Sequence, residues 1–152
     1  MAPGKGRTVA RNSAFWDSSA LVPLCVHQGM TRRAMALHEA YSKVVWWSAP
    51  VEIASALARL GRMKLLQSAE ADRARQLAQA LADSWLVIQP SDALRTEAVE
   101  LVGRYDLGAG ESLHLAAALV WCQHVPAGRI FLTADQKLRE AALLCGFDAN
   151  QM

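Results

Sequence analysis

Short apolar runs alternate along the chain with longer segments in which apolar positions recur every three or four residues. The short runs predict strands at residues 14–17, 43–47, 85–89 and 129–133, and a last edge strand near residue 147. The longer segments predict helices that begin near residues 20, 31, 50, 68, 91, 110 and 136. Strands that are separated by helices indicate a parallel sheet with helices on both of its faces. The pattern therefore predicts a single α/β domain, because no repeat or linker divides the chain.

Residues that favour helix starts lie just before several of these helices. Ser19 is expected to cap the first helix, with Pro23 in its first turn, and Thr31 is expected to cap the second. Pro50 opens the third helix, and Ser91 is the expected cap of the fifth. These starts place short loops directly after the predicted strands.

The composition fits one globular domain. The chain has 152 residues, of which 53% are hydrophobic, and this is enough to form a substantial core. No apolar run is long enough to cross a bilayer, and none at the start resembles a signal sequence. The three cysteines, Cys25, Cys122 and Cys145, form no C-x-x-C pair, so we expect free buried thiols in a reducing cytoplasm.

The net charge of +2 is unevenly distributed along the chain. Residues 1–12 contain Lys5, Arg7 and Arg11 and no acid, so we expect a disordered basic N-terminal extension at 1–12 and the folded domain at 13–152. The domain keeps 13 of the 16 basic residues against 14 acidic ones, and it lacks an overall basic signal for nucleic acid. Binding to a polyanion would need a metal or a local patch. The candidates for such a patch, which otherwise face solvent, are Arg59, Arg62, Lys64 and Arg139.

Four acids lie where a strand stops or a helix starts. Asp17 follows the apolar run 13–16, and Asp135 ends the strand segment 129–134. Glu52 lies just inside the helix that Pro50 opens, and Glu111 follows a glycine-rich turn. The carboxyl ends of parallel strands line one crevice, where four carboxylates would repel one another unless a hard cation neutralised them. The set predicts a Mg²⁺ or Mn²⁺ site and phosphoryl-ester chemistry.

Each acid also has a simpler structural explanation. Glu52 and Glu111 lie in first turns of helices, where a carboxylate favours the positive end of the helix dipole. The simpler role of Asp135 is to cap the helix that begins at residue 136. Asp17 is the hardest to explain in this way, because the residues after it already serve as caps. The set of four at one end of the sheet favours a site.

Histidine and tryptophan give weaker indications. His114 follows Glu111 in a Glu-x-x-His pair, but a di-iron site needs two such pairs, so we expect a packed or hydrogen-bonded histidine. No Ser-His-Asp arrangement, phosphate-binding P-loop or dinucleotide-binding glycine motif is present. Trp46 and Trp47 must face opposite sides of their strand, so one of them is expected to reach a partner surface.

Four segments resemble, in order, the motifs of a PIN domain of the VapC toxin type. They are residues 15–22 (FWDSSALV), 48–60 (SAPVEIASALARL), 110–119 (GESLHLAAAL) and 131–138 (FLTADQKL). The resemblance runs from about residue 14 to residue 147. It implies a PIN-like fold and a Mg²⁺-dependent endoribonuclease that a cognate antitoxin from the same operon holds inactive. A homodimer is also expected.

The resemblance assigns the catalytic and metal-binding roles to the four acids and places hydroxyl groups beside the metal. The acids are Asp17, Glu52, Glu111 and Asp135, and the hydroxyls come from Ser18 or Ser19 and from Thr133. Water activated by the metal would attack the RNA phosphorus in line. The family carries aspartate at the position of Glu111, and Mg²⁺ demands near-octahedral geometry, so the longer side chain implies reduced activity or a weaker second metal site.

Two alternatives belong to other functional classes. A receiver-like signalling domain also gathers acids at strand ends, but it needs adjacent acids and a lysine after a late strand. Asp17 has no acidic neighbour, and Lys137 lies inside the last predicted helix. A catalytically weak or inactive PIN-like binding protein is the stronger alternative, because of Glu111. A cleavage assay with added Mn²⁺ separates it from the nuclease.

Overall fold

The computed structural model describes residues 12–26 and 32–152. The predicted cap Thr31, and all of the predicted basic extension except Asn12, lie outside these residues. Within them, strands and helices alternate as the sequence pattern predicts. The strands are β1 (Asn12–Trp16), β2 (Tyr41–Trp46), β3 (Leu86–Ile88) and β4 (Ile130–Leu132). The helices are α1 (Ser18–Cys25), α2 (Arg32–Ala40), α3 (Ala49–Arg62), α4 (Ser68–Ala82), α5 (Asp92–Tyr105), α6 (Ala109–Trp121) and α7 (Gln136–Cys145).

The strands form one parallel sheet in the order β3-β2-β1-β4. Phe15 on β1 lies opposite Val44 on β2 and Phe131 on β4. The predicted α/β fold with a parallel sheet is therefore confirmed. The predicted edge strand near residue 147 is reduced to a single bridge between Ile130 and Asp148. Because β1 is an inner strand, the residue that follows it lies in the middle of the carboxyl edge of the sheet.

Two apolar clusters cover the two faces of the sheet, because successive strand side chains point in opposite directions. Phe15 belongs to the cluster under α5, α6 and α7, where its ring stacks on Phe131 with centroids 5.3 Å apart. Trp16 belongs to the opposite cluster, under α1, α3 and α4. The first cluster takes in Leu94, Leu115 and Leu138, and the second takes in Leu21, Ile53 and Leu57.

The start of α1 differs from the sequence prediction. Asp17, and not Ser19, is the N-cap, since its carboxylate accepts a hydrogen bond from the Ser19 backbone N–H at 3.4 Å. Pro23 lies in the second turn of α1 rather than the first. The cap at Ser91 is confirmed, because its hydroxyl accepts the Leu94 backbone N–H at 3.1 Å.

The adjacent tryptophans face opposite ways, as predicted. Trp46 ends β2 and is 5% exposed, whereas Trp47 is 55% exposed. The three cysteines are free, as predicted, but only Cys25 and Cys122 are buried, whereas Cys145 is partly exposed at the end of α7. Burial raises the pKa of Cys25 to about 11. No helix in the described part of the chain is long and apolar enough to cross a membrane.

Candidate active site

Asp17 lies at the centre of the carboxyl edge of the sheet and is 5% exposed. Its Oδ2 accepts hydrogen bonds from Ser19 Oγ at 2.5 Å and from Thr133 Oγ1 at 2.9 Å. Its backbone N–H donates to the Leu132 carbonyl at 2.9 Å. The carboxylate is thereby fixed between β4 and α1, because both elements supply it with donors. Ser19, predicted as a helix cap, serves instead as one of these donors.

Glu52 lies in the first turn of α3, as the sequence predicts. Its Oε2 accepts a hydrogen bond from Ser48 Oγ at 2.7 Å, and its Oε1 accepts one from Ser18 Oγ at 3.3 Å. Partial burial raises the pKa of Glu52, but hydrogen bonds and charge from His114, Ser48 and Ser18 outweigh it and hold the pKa below the ordinary value. The side chain is therefore an ionised, oriented carboxylate.

His114 joins these two acids. Its Nε2 lies 2.8 and 3.0 Å from the two oxygens of Glu52 and 3.4 Å from Asp17 Oδ1. Because an ionised carboxylate only accepts hydrogen bonds, Nε2 carries the proton that it donates. Burial lowers the pKa of His114. The Glu52 hydrogen bond and the charges of Asp17, Glu52 and Glu111 outweigh burial, so the pKa lies above its ordinary value. When protonated, the imidazole offsets one of the two carboxylate charges.

Asp135 and Glu111 occupy the rim. Asp135 caps α7, because its Oδ1 accepts a hydrogen bond from the Leu138 backbone N–H at 2.8 Å. The capping role considered for Asp135 is therefore confirmed. Glu111 lies in the first turn of α6 and its carboxylate folds back onto Gly108, where it leaves no room for a Cβ atom. Both side chains are partly exposed, like Glu52 and unlike the buried Asp17.

A cleft of about 640 Å³ opens above Asp17. Its lining combines three of the predicted acids, Glu52, Glu111 and Asp135, with the hydroxyl residues Ser18 and Ser19. Asp17 lies beneath this lining and reaches it through Ser19. All of the sequence-predicted site residues therefore lie in or directly below one cleft. Thr133, which directly follows β4, is hydrogen-bonded to Asp17.

The donors suit a hard cation, but their present arrangement is not that of a metal centre. Carboxylate and hydroxyl oxygens are the ligands that Mg²⁺ and Mn²⁺ prefer. Within residues 12–26 and 32–152, however, no three acid, histidine or cysteine side chains are grouped so that they could hold an ion. The His114 ring contacts both central carboxylates, and Glu111 is turned towards Gly108. The chemistry of the donor set fits a metal, and binding requires Glu52 and Glu111 to reorient.

Two contributors were not assigned to the site from the sequence. His114 was expected to be packed or hydrogen-bonded, which is correct, but its partner is Glu52 and not the neighbouring Glu111. A lone histidine on the buried face of an alanine-rich helix was the available signal. Ser48 donates a hydrogen bond to Glu52, and no feature of the sequence indicated this contact. Arg139, a candidate phosphate ligand, donates to the Thr133 carbonyl at 3.0 Å and supports the strand end instead.

Comparison with known proteins supports the fold. No protein-family model and no curated protein sequence gives a significant match to this chain. A chain of a toxin-antitoxin complex from Klebsiella pneumoniae superposes with a TM-score of 0.58 and 17% identity, over 82% of this chain and 88% of that one. The crystal structure of PAE2754 from Pyrobaculum aerophilum gives a TM-score of 0.61 and 15% identity, over 87% of this chain and 86% of that one. The chain thus has the predicted PIN-like α/β fold.

Proposed function

We propose that this protein is a metal-dependent endoribonuclease that acts as the toxin of a toxin–antitoxin pair. The observation that supports this most is the carboxylate pair Asp17 and Glu52, which both contact His114 Nε2 beyond the ends of strands β1 and β2. Paired carboxylates at the carboxyl edge of a parallel sheet suit a divalent cation and a phosphate ester. The likeness in fold to a chain of a toxin-antitoxin complex agrees with this proposal.

In this proposal Asp17 and Glu52 hold Mg²⁺ or Mn²⁺, and Glu111 and Asp135 complete the oxygen donors from the rim. When bound, such an ion supplies a low-pKa water and stabilises charge on the phosphate. The protein contributes orientation, because the hydroxyls of Ser19 and Thr133 fix the Asp17 carboxylate. Protonated His114 would offset one of the two carboxylate charges in the metal-free protein and so reduce the repulsion between Asp17 and Glu52.

A catalytically inactive PIN-like binding protein is the second candidate. It is favoured by the engagement of both central carboxylates with His114 and by the Glu111 carboxylate, which is turned away onto Gly108. If these contacts persisted in the presence of metal, the protein would keep the fold without the chemistry.

An antitoxin is the partner that the proposal implies. Trp47 lies between β2 and α3 and is 55% exposed, and Val51 on α3 is 69% exposed. Large exposed apolar side chains are typical of protein interfaces. We propose that an antitoxin covers this surface and that the toxin forms a homodimer. Co-expression with the product of the neighbouring gene tests the first point, with Trp47→Ser expected to weaken the complex.

Cleavage of a labelled single-stranded RNA tests the proposed activity. The parent protein is expected to cleave internally with Mn²⁺ or Mg²⁺ and to stop in EDTA, whereas Asp17→Asn stays inactive in all three. Asp83→Asn, an exposed acid at the end of α4, is the matched control and should cleave like the parent. No cleavage by the parent with either metal would favour the binding protein. Sequencing the ends of cellular RNA after induced expression would then identify the target of an active protein.

A further inference from the structure

Helix α3 carries a basic stripe that begins at the candidate site. Glu52 and Arg59 are seven residues apart and so lie on the same helix face, and Arg62 lies about one turn further on. All three line the 640 Å³ cleft. Between the acid and the guanidinium groups the lining residues on α3 are Ser55 and Ala56, whose small side chains leave the cleft open.

The two guanidinium groups are free to bind a ligand. Neither Arg59 nor Arg62 forms an ion pair or a side-chain hydrogen bond with any described residue, and both are exposed. Three other arginines in the described part of the chain are engaged. Arg75 pairs with Asp72, Arg95 pairs with Asp92, and Arg139 bonds the Thr133 carbonyl. Unpaired arginines beside a cleft are suited to phosphate, which guanidinium groups bind with two parallel hydrogen bonds.

We infer that Arg59 and Arg62 bind backbone phosphates of a single-stranded RNA segment that flanks the cleavage position and runs along α3. This inference rests on the proposed function. Arg59 lies about 10 Å and Arg62 about 15 Å along the helix axis from Glu52, from a rise of about 1.5 Å per residue. Both distances exceed the spacing between neighbouring phosphates, which is roughly 3.4 Å along one strand of a duplex. In this proposal the arginines therefore contact phosphates that flank the one that is cut.

The shape of the cleft favours a single strand over a duplex. Its volume of about 640 Å³ is in the range of pockets that hold one small molecule, so it admits a few nucleotides of one strand. Val22 and Pro23 of α1 form the wall opposite α3, and an apolar wall can pack against a base or a ribose. The guanidinium groups hold the backbone on one side while the bases face the other.

Fluorescence anisotropy with a labelled single-stranded RNA of about ten nucleotides, in Ca²⁺ and at several salt concentrations, tests this inference. Each phosphate contact to a single strand contributes about 0.7 to the slope of log K against log salt. Arg59→Gln and Arg62→Gln are each expected to raise Kd about fivefold at 0.1 M salt and to reduce that slope by about 0.7, with about twice the change in slope for the double variant.

Arg95→Gln is the matched control, because Arg95 lies on α5 over the opposite face of the sheet and already pairs with Asp92. It should bind RNA like the parent. Unchanged Kd and slope in the double variant, or an equal loss in Arg95→Gln, would overturn the inference. An acidic protein partner that loses affinity with the double variant while RNA binding stays unchanged would also overturn it.

A second measurement separates this inference from the proposed nuclease activity. With the ten-nucleotide RNA, kcat/KM should be higher for the parent than for the double variant. The factor should equal the ratio of their Kd values for the same RNA. With a substrate of two or three nucleotides the difference should vanish, because no distant phosphate remains. Parent protein that binds RNA with the expected slope but never cuts it refutes the nuclease and keeps the phosphate contacts. Equal cleavage of long RNA by parent and double variant refutes the contacts alone.

Discussion

His114 Nε2 lies 2.8 Å from Glu52 Oε2, so a histidine from α6 contacts the acid at the start of α3 across the carboxyl edge of the sheet. The same nitrogen lies 3.4 Å from Asp17 Oδ1. One imidazole therefore links α3, α6 and the end of β1. When His114 is protonated, this arrangement places a positive charge between the two acids that we propose as metal ligands.

The first prediction is a pH optimum for the stability of the metal-free protein. Folding raises the pKa of His114 above its ordinary 6.5, against burial, through Glu52, Asp17 and Glu111, so its contribution is complete below pH 6.5 and is lost as pH rises through the folded pKa. Folding lowers the pKa of Glu52 below 4.5, so its contribution is present above pH 4.5 and is lost as pH falls through the folded pKa. Stability should be highest between about pH 4.5 and 6.5.

Thermal unfolding in EDTA from pH 4 to pH 9 checks this. His114→Gln should unfold at a lower temperature than the parent at pH 6 and should lose the decline on the alkaline side. A parent whose melting temperature is constant between pH 6 and pH 9 would show that folding does not raise the pKa of His114.

The second prediction separates the two roles of Asp135. Asp135→Ala removes the cap of α7 and should cost about 1 kcal/mol, or about 3 °C in melting temperature for a domain of this size. Asp135→Asn keeps an equally good cap and should melt near the parent temperature. If Asp135 also binds metal, both variants should lose Mn²⁺ affinity in calorimetry. Normal Mn²⁺ binding by both would leave Asp135 as a cap alone.

The third prediction concerns Asp17. Asp17→Asn keeps the shape of the side chain and should lower Mn²⁺ affinity at least about tenfold, the scale of losses around metal sites. The variant should also unfold at a lower temperature in EDTA. The neutral amide no longer forms a charged pair with His114, and it has one acceptor oxygen where the carboxylate has two, so it cannot accept from Ser19, Thr133 and His114 as the carboxylate does. Circular dichroism confirms that the variant is folded before the titration. Unchanged affinity in a folded variant would count against the whole metal site.

The fourth prediction concerns the position of the Glu111 carboxylate. An alanine methyl at Gly108 would occupy the space that this carboxylate takes, so Gly108→Ala should turn Glu111 towards the cleft at little cost, because the side chain is flexible. If Glu111 is a ligand, Mn²⁺ affinity should rise. Gly103→Ala is the control, since open space surrounds that helical glycine, and it should add about 0.5–1 kcal/mol of stability without affecting metal binding.

The fifth prediction compares metals. Glutamate at 111 reaches further than an aspartate would, and Mn²⁺ tolerates distorted geometry better than Mg²⁺, so the proposed cleavage should be faster with Mn²⁺. Glu111→Asp should narrow the difference between the two metals. If Glu111→Asp and Glu111→Gln both cleave like the parent with either metal, Glu111 is only a first-turn acid of α6.

The sequence was sufficient for the fold because each strand and each helix has its own local signal. Alternation of apolar runs and helical periodicity predicted the four strands β1 to β4 and their parallel pairing. Ser91 was predicted correctly as a helix cap. The start of α1 was less certain because Asp17, Ser18 and Ser19 are all good caps, and only the contact with Thr133 decides among them. The His114–Glu52 contact spans 62 residues of chain, so no local pattern indicates it.

The Asp17 carboxylate both starts a helix and lies at the centre of the proposed catalytic pair. A mutation that removes it would harm folding together with activity, whereas Glu111 sits on the rim with its carboxylate held by no donor among the described residues. If the protein is the toxin that we propose, surviving clones that retain full-length, stable protein should carry their changes at rim positions such as Glu111 or carry the shape-conserving change Asp17→Asn. Changes that remove the Asp17 side chain altogether should appear mainly among clones in which the protein is degraded. The double role of Asp17 thus limits the ways in which the proposed toxicity can be lost.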